Sequence, residues 1–180
     1  NTPAINLWFS PLKDTAPKNT IKLVRKGRVE QRINYGQLGD QVLLDDGVLS
    51  GVLAEGFREI AYPMWLVETL ITRPENRSAS AFTETIDYKY GHPIVGQTSG
   101  LLGFTSMQQL FIEKSAVKNT VYDLFEINGF AKSLPRILET RSEGLLVDRK
   151  TLFWKSVVRN HGAVSFELTH ETSEKFFGSD

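Results

Sequence analysis

Asp87 and Lys89 stand one residue apart in the run Ile86-Asp87-Tyr88-Lys89-Tyr90-Gly91. On an extended strand, side chains two positions apart share a face, so this spacing sets a carboxylate beside an ammonium. Such a pair can hold Mg²⁺ and orient an attacking water. Upstream of it the acids are Glu68 and Glu75, while Glu84 falls on the opposite face of the strand. The same spacing also makes a plain cross-strand charge pair on a wet sheet face, which is the commoner origin of an Asp-x-Lys step.

Other chemistry is thinner. His92 precedes Pro93, His161 sits in a turn sequence and His170 ends a strand. None of the three pairs at the i, i+4 spacing of a helical zinc site. Gly96-Gln97-Thr98-Ser99-Gly100 lacks the Gly-Lys-Ser/Thr ending of a phosphate loop, and no Gly-x-Ser-x-Gly elbow exists for a serine hydrolase. Lys22, Arg25, Lys26, Arg28 and Arg32 form a basic stripe opposed only by Glu30. It could meet phosphate or an acidic partner, or simply protect an edge strand. Trp8 and Phe9 near one end and Phe176 and Phe177 near the other are aromatic pairs poorly suited to water, and are candidate binding residues. Asn76-Arg77-Ser78 is a glycosylation sequon.

Two stretches resemble known families. Asp87-Tyr88-Lys89 resembles the acidic-x-Lys step of the PD-(D/E)xK nucleases, which implies Mg²⁺-dependent nucleic-acid cleavage with Asp87, Lys89 and Glu68 as catalytic residues. The pair Trp65–Leu70 and Ala81–Ile86, followed by a helical stretch over Val121–Gly129 and a closing hairpin, is similar to the chorismate lyase and UTRA ligand-binding family. Val67 stands where the lyases carry a substrate-binding Arg, and Trp154-Lys155-Ser156-Val157 where they carry a Glu. That resemblance therefore implies a small-molecule pocket without the lyase chemistry.

These residues must be held by a chain of 180 residues with 21 Lys+Arg, 21 Asp+Glu and no Cys. Zero formal charge removes whole-chain attraction to nucleic acid or a membrane surface. The lack of Cys excludes disulfide frameworks, thiolate metal sites and cysteine nucleophiles. Apolar runs such as Met64-Trp65-Leu66-Val67 are far too short to span a bilayer. A first residue of Asn1 suggests a processed chain or a fragment, and the length suits one domain.

Prolines at 3, 11 and 17 make residues 1–20 an extended segment. Alternation predicts strands over 21–35 and a hairpin at Asp45-Asp46-Gly47, with room for a short helix over Val52–Ile60. A second hairpin joins Trp65–Thr72 to Ala79–Tyr90, with Thr85, Asp87 and Lys89 on a wetter face and Ile86, Tyr88 and Tyr90 on a drier one. Residues 91–106 read as a loop. Met107, Leu110 and Phe111 at i, i+3, i+4 predict a helix after Ser106; Thr120–Gly129 predicts another, and 133–140 a short third. A last hairpin turns at Asn160-His161-Gly162.

The expected architecture is a single α+β domain over 21–170: mainly antiparallel sheet built from hairpins, two or three helices packed on one face, and a polar tail over 171–180. The expected function is a non-catalytic binding or assembly module that meets a protein partner or forms a homo-oligomer. Nucleic acid could bind only through the Lys22–Arg32 stripe, and no cofactor is expected unless the nuclease reading brings Mg²⁺.

Overall fold

The computed structural model describes residues 21–26, 29–38, 57–59, 64–74, 83–96, 100–127 and 130–177. Twelve strands occupy these residues: β1 (Leu23–Lys26), β2 (Val29–Gln37), β3 (Phe57–Glu59), β4 (Trp65–Pro74), β5 (Glu84–Tyr90), β6 (Pro93–Gly96), β7 (Gly100–Phe104), β8 (Ser106–Phe111), β9 (Ala116–Ile127), β10 (Phe130–Ser142), β11 (Leu145–Val158) and β12 (Val164–Lys175). Nine form one sheet in the order β1-β2-β4-β5-β8-β9-β10-β11-β12, and β3-β6-β7 form a small second sheet. Every pairing is antiparallel. No helix of the described residues is long and apolar enough to cross a membrane.

The hairpins β1–β2, β4–β5 and β11–β12 fall where alternation places them. The α+β expectation is overturned: the described residues are 82% strand and 5% helical, with no helix of seven residues or more. The helices expected after Ser106, over 120–129 and over 133–140 are β8, β9 and β10. The reason lies in the coverage of the sheet. Both faces of these strands are half-buried, so apolar residues sit on each; Leu110 faces one side while Met107 and Phe111 face the other. Such a list satisfies helical spacing by coincidence. Thr120, Val121, Tyr122, Phe125 and Ile127 are the β-branched and aromatic types that suit a pleated surface. Pro135 is tolerated because the β10–β11 ladder begins only at Ile137↔Thr151, and the β9–β10 register shifts at the same point.

Without Val121–Gly129 as a helix, the element order departs from the lyase-like arrangement. The expected loop over 91–106 contains β6 and β7, and Phe57–Glu59, inside the possible short helix, is β3. The Asp45-Asp46-Gly47 hairpin, the Asn76-Arg77-Ser78 sequon and the 1–20 segment with Trp8 and Phe9 lie outside the described residues.

Cross-strand register sets Glu30, Arg73, Asp87, Lys89, Gln108 and Asn119 on one face and Ile33, Leu70, Ile86, Tyr90, Met107 and Phe111 on the other. The separation is incomplete, since Ile71 and Leu110 fall on the Glu30 face and Glu84 and Gln109 on the other. Exposure does not mark the faces either: every position of β4 and β5 is half-buried. The expected contrast of one wet and one dry flank is missing because the segments read as helices extend the sheet instead of covering it.

Among the described residues, the sheet is packed on both sides around β9 and β10. On the Tyr90 face the small sheet docks, with the Phe104 ring 4.8 Å from that of Tyr90. A Cβ on Gly96 would lie 3.3 Å from Leu102 Cδ1 in the small sheet itself and 3.6 Å from Ala131 Cβ of β10, so Gly96 faces the larger sheet at ordinary packing distance. Gly91 N–H donates to Ser106 O at 2.8 Å, Thr105 N–H donates to His92 O at 3.0 Å, and His92 N–H donates to Thr105 Oγ1 at 3.1 Å, bonds that tie the small sheet to the large one. On the Glu30 face, β11 and β12 leave β10 after Thr151 and lean back over it. The Phe166 ring reaches within 5.4 Å of Phe125, and the Trp154 indole N–H donates to Pro135 O at 2.7 Å, taking an acceptor the ladder has abandoned. Ile94, Leu134, Phe57 and Leu152 are the buried apolar side chains of the described residues.

Truncation should register there and little elsewhere. Ile94→Ala is expected to cost about 3 kcal/mol of unfolding free energy, against under about 1 kcal/mol for the exposed Val158→Ala. Urea unfolding midpoints at unchanged slope measure the difference.

Candidate functional site

The β10–β11 hairpin turns through two residues, since Ser142 and Leu145 are paired. Glu143 (φ 51°) and Gly144 (φ 83°) both take the left-handed backbone of a type I′ turn. Three residues later the ladder skips Val147, because Thr140 faces Asp148 and Arg141 faces Leu146. This bulge frees the Val147 carbonyl, which accepts from Phe176 N at 2.9 Å just beyond the end of β12. Turn, bulge and chain end together make a groove of about 450 Å³ lined by Ser142, Glu143, Leu145, Leu146, Val147, Phe176 and Phe177. Its lining mixes the apolar side chains of Leu145, Leu146, Val147, Phe176 and Phe177 with polar groups of the turn. Leu145 is 67% exposed and Phe177 87% exposed, values at odds with a surface meant to stay in water.

Phe176 and Phe177 were legible as binding candidates; Leu145 and Val147 were not. The available signal was Glu143-Gly144 between Ile137-Leu138 and Leu145-Leu146-Val147, a hairpin signature hidden by reading 133–140 as helix.

The basic stripe is divided by the strand pleat. Arg25 and Arg32 share a face with Glu30, and Arg73 of β4 joins them across the ladder. Glu30 is 5% exposed. Its Oε1 accepts from Arg32 Nε at 2.8 Å and from Arg73 Nη2 at 2.6 Å, and its Oε2 from Arg25 Nη2 at 3.3 Å. The hydrogen bonds from Arg32 and then Arg73 hold its carboxyl down to about 2, against the opposing effect of burial. Lys22 is exposed at the approach to β1; Arg28 and the side chain of Lys26 lie outside the described residues.

Asp87 and Lys89 do share a face, and Asp87 Oδ1 accepts from Thr69 Oγ1 at 2.9 Å. Glu68 occupies the bulge where β2 and β4 shift register, between Val67 and Thr69. Among the described residues no group of three or more His, Asp or Glu converges to hold a metal ion. The histidines remain apart: His92 pairs with Glu59, His161 (φ 68°) turns the last hairpin, and His170 lies against Phe153 at 5.7 Å. Burial and the nearby hydroxyls of Tyr88 and Tyr122 push the Tyr90 phenol up to about 12, and it donates to Val67 O at 2.9 Å, a proton-holding role in packing.

Comparison with protein-family models, curated proteins and solved structures finds no match for the chain.

The Glu30 carboxyl titrates below its ordinary 4.5 in the folded state. Its stabilisation is therefore complete above pH 4.5 and lost as pH falls through about 2. Glu30→Gln should lower the melting temperature at pH 7, and the gap to the parent protein should close as pH is taken from 4.5 towards 2. Thermal melts followed by circular dichroism across that range check both statements.

Proposed function

We propose that the protein is a non-catalytic assembly module that works through protein–protein contacts, with the groove between the β10–β11 turn and Phe176-Phe177 as its contact surface. The observation that carries this reading is the concave apolar surface around Phe177, 87% exposed, and Leu145, 67% exposed. Aromatic anchors seated in a pocket with a polar rim are the usual energetic centre of a protein interface. The half-dry sheet supports the same reading, since an open sheet with apolar residues on both faces gains from an added layer.

The partner proposed is a second copy of this chain. A two-fold contact would bring two Phe177 rings and two Leu145 side chains into mutual burial, the self-complementary pattern of most homodimers. The nuclease reading lacks a converging set of acids among the described residues, and nothing specific favours it over this one.

Light scattering over a concentration series tests the assignment. The parent chain is expected to form a dimer or larger oligomer, and Leu145→Ser with Phe177→Ser to weaken association at least about tenfold, the scale of losing anchor contacts. Both side chains are exposed, so the substitutions should leave the urea midpoint unchanged. A parent chain that stays monomeric at every concentration, or an oligomer indifferent to the double substitution, would remove the groove as the contact.

A further inference from the structure

We propose that the arginine cluster on β1, β2 and β4 is a binding site for a phosphate monoester, gripped by Arg25 and Arg32, with Glu30 holding the two guanidinium groups in place and Arg73 anchoring Glu30. The proposal is independent of the apolar groove.

Three guanidinium groups converge on one carboxylate, and among the described residues two positive charges are left without a counter-charge. The carboxylate is already crowded: Oε1 accepts from Arg32 and Arg73, and Oε2 from Arg25. Arg32 reaches it through Nε alone, so both its terminal nitrogens stay available for another acceptor. Arg25 binds at 3.3–3.4 Å, the long end of the range, and is 59% exposed; Arg32 is 46% exposed. The inner side of the cluster is thus fixed and the outer side open.

Among the described residues, the acids of β5 and of the turn after β8 have partners of their own. Asp87, on the same face, accepts from Thr69, and Glu113 accepts from the Thr85 backbone N–H. Glu84 pairs with Lys114.

Protection of a sheet edge by charge does not explain the arrangement. Edge protection asks for exposed charges along the outermost strand, whereas Arg32 and Arg73 stand on the interior strands β2 and β4. What the cluster matches is an oxyanion. A guanidinium offers paired N–H donors spaced for phosphate oxygens, and a phosphate monoester carries close to the two negative charges left unbalanced here. A carboxylate or phosphodiester would neutralise only one of them. The phosphate could belong to a free small molecule or to a lipid headgroup.

Thermal melts with inorganic phosphate, against sodium chloride at matched ionic strength, and flotation with phosphatidylcholine vesicles with and without phosphatidic acid test the site and separate the two sources. Phosphate also stabilises proteins non-specifically, so the quantity read is the difference between the parent chain and variants. Arg25→Gln and Arg32→Gln should each weaken the response about tenfold, as for loss of one charge-assisted pair, and the double variant should abolish it. Arg159→Gln, at the far end of β11, should change nothing. Arg32→Lys keeps the charge beside Glu30 but not the fork; it should retain the melting point without phosphate and lose most of the response. Response to free phosphate supports a soluble ester, and binding to phosphatidic acid vesicles alone supports the headgroup. A parent response to phosphate and vesicles no greater than that of Arg25→Gln with Arg32→Gln, or of Arg32→Lys if the double variant does not fold, would overturn the site.

Discussion

The backbone ladder organises this protein more than its core does. Nine strands pair antiparallel in an order that follows the chain, broken only where β3, β6 and β7 leave to form the small sheet. Each pairing satisfies the donors and acceptors of its neighbours, and the side chains then meet as cross-strand pairs rather than as a thick interior. Where a second layer is present, at β9 and β10, the sheet is packed from both sides by the docked small sheet and by the returning end of β11 and β12. Elsewhere, among the described residues, the faces carry no second layer. Irregularities in the ladder therefore carry much of the specificity: the skipped Val147 joins the chain end to the hairpin, and the shift at Pro135 releases β11 to fold back.

Charge is distributed by the same geometry. The net balance of the chain is zero, yet the pleat sorts Arg25, Arg32 and Arg73 around one acid at one end of the sheet, while Glu167 near the other end bridges Lys155 and Arg159. Exposed pairs of the second kind contribute little. The Glu30 cluster differs because its carboxylate is shielded by the very groups that bind it.

Much of the fold is written locally and was readable. Ile86, Tyr88 and Tyr90 against Asp87 and Lys89 mark β5 by alternation alone, and Asn160-His161-Gly162 marks the last turn. What misleads is the symmetry of burial. A strand covered equally on both faces loses its period of two, and Met107, Leu110 and Phe111 then imitate a helix. Pro135, which punctuates helices in many sequences, stands here at a bulge. Of the groove, Phe176 and Phe177 could be singled out because two adjacent phenylalanines in a polar tail are anomalous. Leu145 and Val147 look like ordinary core residues until the turn at Glu143-Gly144 carries them to the tip. Arg73 was invisible as a member of the basic cluster because only pairing across the sheet brings it to Glu30, some forty residues earlier.

A sheet whose strands are stitched to their sequence neighbours, with β1 and β12 at opposite margins, has a definite response to tension. Load applied at the chain ends meets the outermost ladders first and opens them bond by bond, like a zip, instead of shearing many bonds at once. The molecule should therefore be mechanically compliant, lengthening in small steps from its margins inward, with the doubly packed β9–β10 region the last to give way.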